Sequence, residues 1–423
     1  MRSLLRAVAA VGIALVVLAP LPAHAATPDP SPESATTQEY WLDQYGIRQA
    51  WSQTRGKGVR IAVIDTGVAK LPAFEGAVVG GADMSGEGSP DGRTPVGVVD
   101  ANHGSWVASL AAARQVGDGM IGVAPEAELL SVSVGLGSSA TVPITQQVAE
   151  AIRWSVDNGA DIINLSFTMN SLGWDPSWDD AFLYAFDHDV VVVVAAGNRG
   201  SGTSRVGAPA TIPGVLTVAG VDPKGRASVG ASTQGITIGV AAPSEKLLGI
   251  SADGQLVVWN GTSGAAPIVA GIAALVRSAH PDLDAANVIN RIIRTAKPPA
   301  SVKEVPNNLY GYGLVDAAAA VAADVPAVTA NPMGDLREWI RVHRRAEATP
   351  APDPSVGPVT VEPLPEADRP SGEGSPLMPT EQTLLYGSLP LLVVTVTAIM
   401  VLLGVTAAVR RVRSVRPPTA PRR

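Results

Sequence analysis

With 423 residues, 46% of them apolar, the chain can fill one large domain and still carry further segments. It has no cysteine, which excludes disulfides, thiolate metal sites and a cysteine nucleophile together. The formal charge of −7, with no basic cluster outside the C-terminal tail, argues against a nucleic-acid partner.

Residues 1–25 read as a secretory signal peptide: arginines at 2 and 6, an apolar stretch from Ala7 to Leu21, then Ala23-His24-Ala25 as a small-x-small site with cleavage expected after Ala25. A short polar, Pro-rich lead occupies 26–39, and the folded body is expected over 40–324, beginning near Tyr40-Trp41-Leu42. Within it, apolar runs rich in β-branched residues cover 59–64, 161–165, 190–195 and 214–221, each bounded by Gly, Pro, Asn or Asp. Unbroken apolar runs suit strands buried on both faces. Between them, helical periodicity runs over 105–113, 144–158, 178–186, 263–279 and 284–296. The alternation predicts an α/β fold, a mostly parallel sheet with helices on both faces. A hairpin, 247–250 with 256–259, is expected as an addition to that sheet.

From 325 to 383 the composition turns to Pro, Glu, Ala and Ser with no sustained period, which reads as a spacer, with a short helix at 333–345 inside it. Residues 384–409 are apolar and uncharged over a length that spans a bilayer as a helix. Arg410, Arg411, Arg413 and Arg416 follow, so the basic tail 410–423 is expected on the cytoplasmic side and the body outside the membrane.

Four short segments carry the chemistry. Ile64-Asp65-Thr66-Gly67 places a carboxylate where a buried strand ends, at the carboxyl edge where open parallel sheets build their sites. A plain strand-end turn accounts for Asp65 equally well, but the aspartic-protease pattern does not, since no second Asp-Thr-Gly or Asp-Ser-Gly exists. Of the five histidines, His24 leaves with the signal peptide, His343 lies in the spacer, His280 ends a helix and His188 sits in a polar turn. That leaves His103, in Asn102-His103-Gly104-Ser105, opening a helix, as a base or as a structural histidine. Ser263, in Gly261-Thr262-Ser263-Gly264, stands at the start of a long apolar helix, where free amides and positive potential collect. Alone it is an ordinary helix-capping serine. Asn198, after Ala195-Ala196-Gly197, could donate to an oxyanion or simply make a turn. Together the four form one coherent set, because a serine hydroxyl needs a base and that base needs a carboxylate to orient it.

The four blocks, in the order Asp, His, Asn, Ser, resemble the subtilisin family over roughly residues 40–322. The resemblance implies a subtilisin-like serine endopeptidase in which Asp65 orients His103, His103 acts as base and then acid, and Ser263 is the nucleophile. Asn198 and the Ser263 amide would form the oxyanion hole. Leu165, Ser166 and Phe167 would pair with the substrate backbone, and Ala195, Ala196 and Gly197 would line the pocket for the residue before the cleaved bond. Gly264 stands where the family usually has a larger residue, and Ser105-Trp106 is bulkier than is common after the histidine. Residues 27–39 leave no room for the family's inhibitory prosegment, so folding and activity are expected without one. No metal and no other cofactor is expected. The order of segments further resembles the mycosins, membrane-anchored subtilases of type VII secretion. That implies exported proteins or peptides as substrates at the outer face of the cytoplasmic membrane, with a secretion complex as partner; the alternatives are a general surface-anchored subtilase and a structural part of a secretion assembly.

Overall fold

In a computed structural model, the structure describes residues 35–97, 100–137, 140–344 and 389–414. Seven strands form one sheet in the order β2-β3-β1-β4-β5-β6-β7, every neighbouring pair parallel. They are β1 (Arg60–Asp65), β2 (Val78–Asp83), β3 (Glu128–Ser133), β4 (Ile162–Leu165), β5 (Val191–Ala195), β6 (Leu216–Val221) and β7 (Ile238–Pro243). The central strands are buried from end to end, as their unbroken Val and Ile runs require. Helices α4 (His103–Ala112) and α7 (Thr262–Ala279) pack together on one face, while α5 (Ile144–Asp157) and α6 (Ser177–Asp187) cover the other.

Three of these strands escaped the sequence reading, each for a local reason. In β3 the alternate positions are Ser131 and Ser133, buried serines whose hydroxyls donate to the Gly92 carbonyl and to Asp83 at 2.6 and 2.7 Å. β2 carries Gly80 and Gly81, and a Cβ at Gly81 would strike the Asp91 and Ser131 carbonyls, so the glycine is there for close approach rather than as a turn. β7 has a Gly and ends in Ala-Ala-Pro, which reads as loop in isolation. The hairpin of β8 (Leu247–Ile250) and β9 (Leu256–Trp259) forms as expected but is a separate two-stranded sheet, fastened to α4 instead of to the main sheet.

The body is larger at both ends than 40–324. A short helical turn, α1 (Ala35–Gln38), precedes α2 (Tyr40–Gln44) and α3 (Ile47–Ala50); Ala35 is buried, and the buried Glu39 carboxylate accepts the Ile121 amide at 2.8 Å. Burial lifts the Glu39 pKa to about 7 against the opposing effects of that amide and Arg48. At the other end, α8 (Ala285–Thr295), α9 (Ala317–Ala322) and α10 (Leu336–His343) each begin on an aspartate, Asp284, Asp316 and Asp335, whose side chain accepts a first-turn amide. Buried Arg291 donates to the carbonyls of Ala320, Val321 and Ala323, satisfying the end of α9. α10 then lies on α6: Trp339 stacks on Trp174 with ring centroids 4.4 Å apart, Arg344 pairs with Asp179 and Arg337 with Asp187. Residues 325–344, expected as spacer, are thus packed on the body; their polar composition hid a segment held by capped helix ends and one tryptophan pair.

The second unit is described only for α11 (Leu389–Ser414), a 26-residue helix about 39 Å long. Its window Val394–Arg411 has mean hydropathy 1.6 and no buried residue. The helix runs through Arg410 and Arg411 instead of stopping before them. The expected signal peptide, the lead up to 34, the spacer from 345 and the end of the tail lie outside the described residues.

Candidate active site

The strand order makes β1, β4 and β5 neighbours, so their carboxyl ends lie side by side. β1 ends on Asp65, β4 leads into Ser166-Phe167-Thr168, and β5 leads into Ala196-Gly197-Asn198. The starts of α4 and α7 bring His103 and Ser263 to the same edge. Asp65, fully buried, backs His103; His103, Ser263 and Asn198 all open into one cavity of about 320 Å³.

On one side of it, Asp65 Oδ1 accepts the Thr66 amide at 2.7 Å and lies 2.8 Å from His103 Nδ1. Thr66 Oγ1 donates to the Ala101 carbonyl and accepts the Gly104 amide at 2.8 Å, tying the loop after β1 to the first turn of α4. Gly104 is needed there, because a Cβ would collide with the Gly67 carbonyl. Desolvation lowers the pKa of His103, but the charge of Asp65, its hydrogen bond and the charge of Asp100 outweigh it, and the net shift is upward from 6.5. Two tryptophans back the ring edge-on, Trp259 with centroids 5.8 Å away and Trp106 at 6.4 Å. Asn102 Oδ1 accepts the Ala252 amide, Trp106 Nε1 donates to Ser251, and Ser109 accepts the Ile250 amide, so the hairpin clamps the histidine helix.

The opposite side carries no charge. Asn198 Oδ1 accepts from the Thr262 amide at 2.8 Å and from Thr262 Oγ1 at 2.9 Å, and that Oγ1 in turn accepts the Gly197 amide. These bonds fix the amide's orientation and leave Nδ2 with no acceptor among the described residues. Gly261, at φ +151, gives the side chain its space: a Cβ would sit 3.1 Å from Asn198 Nδ2. The Ser263 amide lies in the first turn of α7, where no carbonyl of the helix can reach it.

Ser263 makes no hydrogen bond to His103 among the described residues. Its Oγ donates to the Ser166 carbonyl at 2.8 Å, and Ser166 Oγ donates to the Ser263 carbonyl at 2.9 Å. The second bond exists because Pro267, four residues on, has no N–H to offer that carbonyl.

Of the residues expected to meet substrate, Ser166, Phe167, Ala195 and Gly197 line the cavity. Leu165 and Ala196 do not: both are fully buried, and the Ala196 amide bonds Val218 in the sheet. Thr168, the end of the segment after β4, lines the cavity too, and Ser201, Thr203 and Asp100 line it without having been singled out. Asp100 stands three residues before His103, a spacing that could have drawn attention; the hydroxyl residues carry no such signal. Gly264 is explained by packing, since a Cβ there would meet Leu247 and lie 3.2 Å from Trp259, whose indole occupies the space a larger side chain would need.

The sequence profile described as the Subtilase family matches residues 56–313. The chain belongs to the subtilase family. Mycosin-1 of Mycolicibacterium smegmatis is 32% identical over 391 residues, covering 79% of this chain and 83% of its own. Subtilisin DY of Bacillus licheniformis is 37% identical over 274 residues, covering 63% of this subtilase and 92% of its own length. Among solved structures, MycP1 from the ESX-1 type VII secretion system superposes with a TM-score of 0.63 at 30% identity, covering 73% of this chain and 92% of that one. This subtilase is accordingly a serine protease of subtilisin-like fold, similar to the mycosins.

Proposed function

We propose that this subtilase hydrolyses peptide bonds through an acyl-enzyme formed on Ser263. The 2.8 Å contact between Asp65 and His103 at a cavity shared with Ser263 and Asn198 carries the reading. Asp65 holds Nδ1 of the imidazole, which leaves Nε2 to accept the Ser263 proton once the hydroxyl turns from the Ser166 carbonyl. The serine oxygen bonds to the scissile carbonyl carbon, and the carbonyl oxygen becomes an oxyanion met by Asn198 Nδ2 and the Ser263 amide. His103 then gives its proton to the leaving amine, and water reverses the sequence to free the acid. A phosphonofluoridate serine probe applied to the full-length protein tests this: wild type becomes labelled and Ser263→Ala does not. A wild type that resists the probe, or equal labelling of both, overturns the assignment.

The body works outside the cytoplasmic membrane, anchored by α11, on exported proteins handled by a type VII secretion system. Support comes from the length and apolarity of that helix, the arginines at its end and the similarity to Mycosin-1 and to MycP1. An epitope at the C-terminus should be shielded in intact cells and reached only after permeabilisation; exposure without permeabilisation would reverse the topology.

A further inference from the structure

Among the described residues, the cavity has one carboxylate on its wall and no lysine or arginine. That carboxylate is Asp100, partly exposed, on the same side as His103. Its Oδ1 is taken by the amide and the side-chain nitrogen of Asn102, at 3.0 and 3.1 Å, while among the described residues Oδ2 accepts no hydrogen bond and no ion pair involves the residue. The remaining wall is neutral: Leu136 and Gly137 beyond β3, Phe167 and Thr168 beyond β4, Ser201 and Thr203 beyond β5. A neutral cavity with one negative charge on its wall discriminates between charged side chains, favouring cations and rejecting anions.

Its place in the cavity says which substrate residue is read. The inference rests on the protease chemistry above, with the substrate backbone extended along Ser166 to Thr168 and the side chain before the cleaved bond directed at Ala195 and Gly197. In an extended strand the next side chain towards the N-terminus points the other way. That is the side of His103 and Asp100. We infer that this subtilase selects peptides with lysine or arginine two residues before the cleaved bond, and that Asp100 makes the selection.

The test uses the full-length protein and peptides differing only at that residue: lysine, arginine, norleucine or glutamate. At low salt kcat/KM for lysine should exceed that for norleucine by about fivefold, the scale of one partly exposed charge pair, with glutamate below both. The ratio should shrink in high salt. Asp100→Asn should bring lysine and norleucine together, and Asp100→Lys should reverse the order of lysine and glutamate. Equal rates for lysine and norleucine in the wild type overturn the inference, as does a lysine preference that Asp100→Asn leaves intact. Calorimetric binding of the same peptides to Ser263→Ala keeps the two readings apart. Charge-selective binding with no wild-type turnover removes the protease chemistry, whereas turnover without charge selection removes only the role of Asp100.

Discussion

The two walls of the cavity are built on opposite plans. The His103 wall holds all the charge of the site, with Asp65 buried behind the imidazole, Asp100 beside it and two tryptophans against its edge. The Asn198 wall holds none, and is made of backbone amides, one fixed carboxamide and small hydroxyl side chains. A group that must gain and lose a proton needs a neighbouring charge to set its affinity, and burial to hold its orientation. A group that meets a transient anion needs only donors already in place, and a permanent charge there would bind the ground state as well.

The comparison breaks most visibly at the charged wall. His103→Ala should lower kcat/KM by about 10⁴- to 10⁶-fold, and combining it with Ser263→Ala should add almost nothing, since the groups act as a unit. A merely tenfold loss in peptide hydrolysis would mean that proton handling lies elsewhere. Asn198→Ala should cost about 10²- to 10³-fold, mainly in kcat, as for one preorganised donor. If it matched His103→Ala, the distinction between the walls would disappear.

Gly264→Leu sharpens the comparison from behind. Forcing a side chain against Leu247 and Trp259 should destabilise the domain by about 1–3 kcal/mol in thermal or denaturant unfolding. It should also disturb the ring that Trp259 backs, so the pH–rate profile should change while the Asn198 wall is untouched. An unchanged melting temperature would show that the indole yields freely.

The smallest expected effect is a displacement of that profile. Hydrolysis requires neutral His103, so kcat/KM should rise with pH through a midpoint above the ordinary 6.5. Asp100→Asn removes one upward influence and should move the midpoint down, whereas Asn198→Ala should leave it in place. Stability runs the other way. The fold favours the imidazolium, so that stabilisation is complete below 6.5 and is lost as pH rises through the higher folded value. A rate midpoint below 6.5 would contradict the balance of Asp65 and Asp100 over desolvation.

Much of this was legible in the chain because it rests on short-range constraints. The segments around Asp65, His103, Asn198 and Ser263 are each a strand end or helix start whose local residue types are dictated by backbone approach and capping. What escaped depends on partners remote in sequence. β3 is legible only once its serines are seen to bind the loop beyond β2; α10 joins the body through Trp174, 165 positions from Trp339. Leu165 and Ala196 turn their side chains into the core, and a motif gives position along the chain but not which face a side chain takes. Asp100 is a single acidic residue in sequence and gains meaning only from the neutral wall across the cavity.

Gly264, whose space is filled by Leu247 and Trp259, leaves the residue after the serine without a side chain. No methionine lines the cavity among the described residues, and the chain contains no cysteine. The site is thus free of sulfur. Peroxide attacks thiolates and exposed thioethers first, turning a small apolar group into a bulky polar one. With no such group beside the serine, oxidants of that kind have no foothold from which to block the oxyanion position.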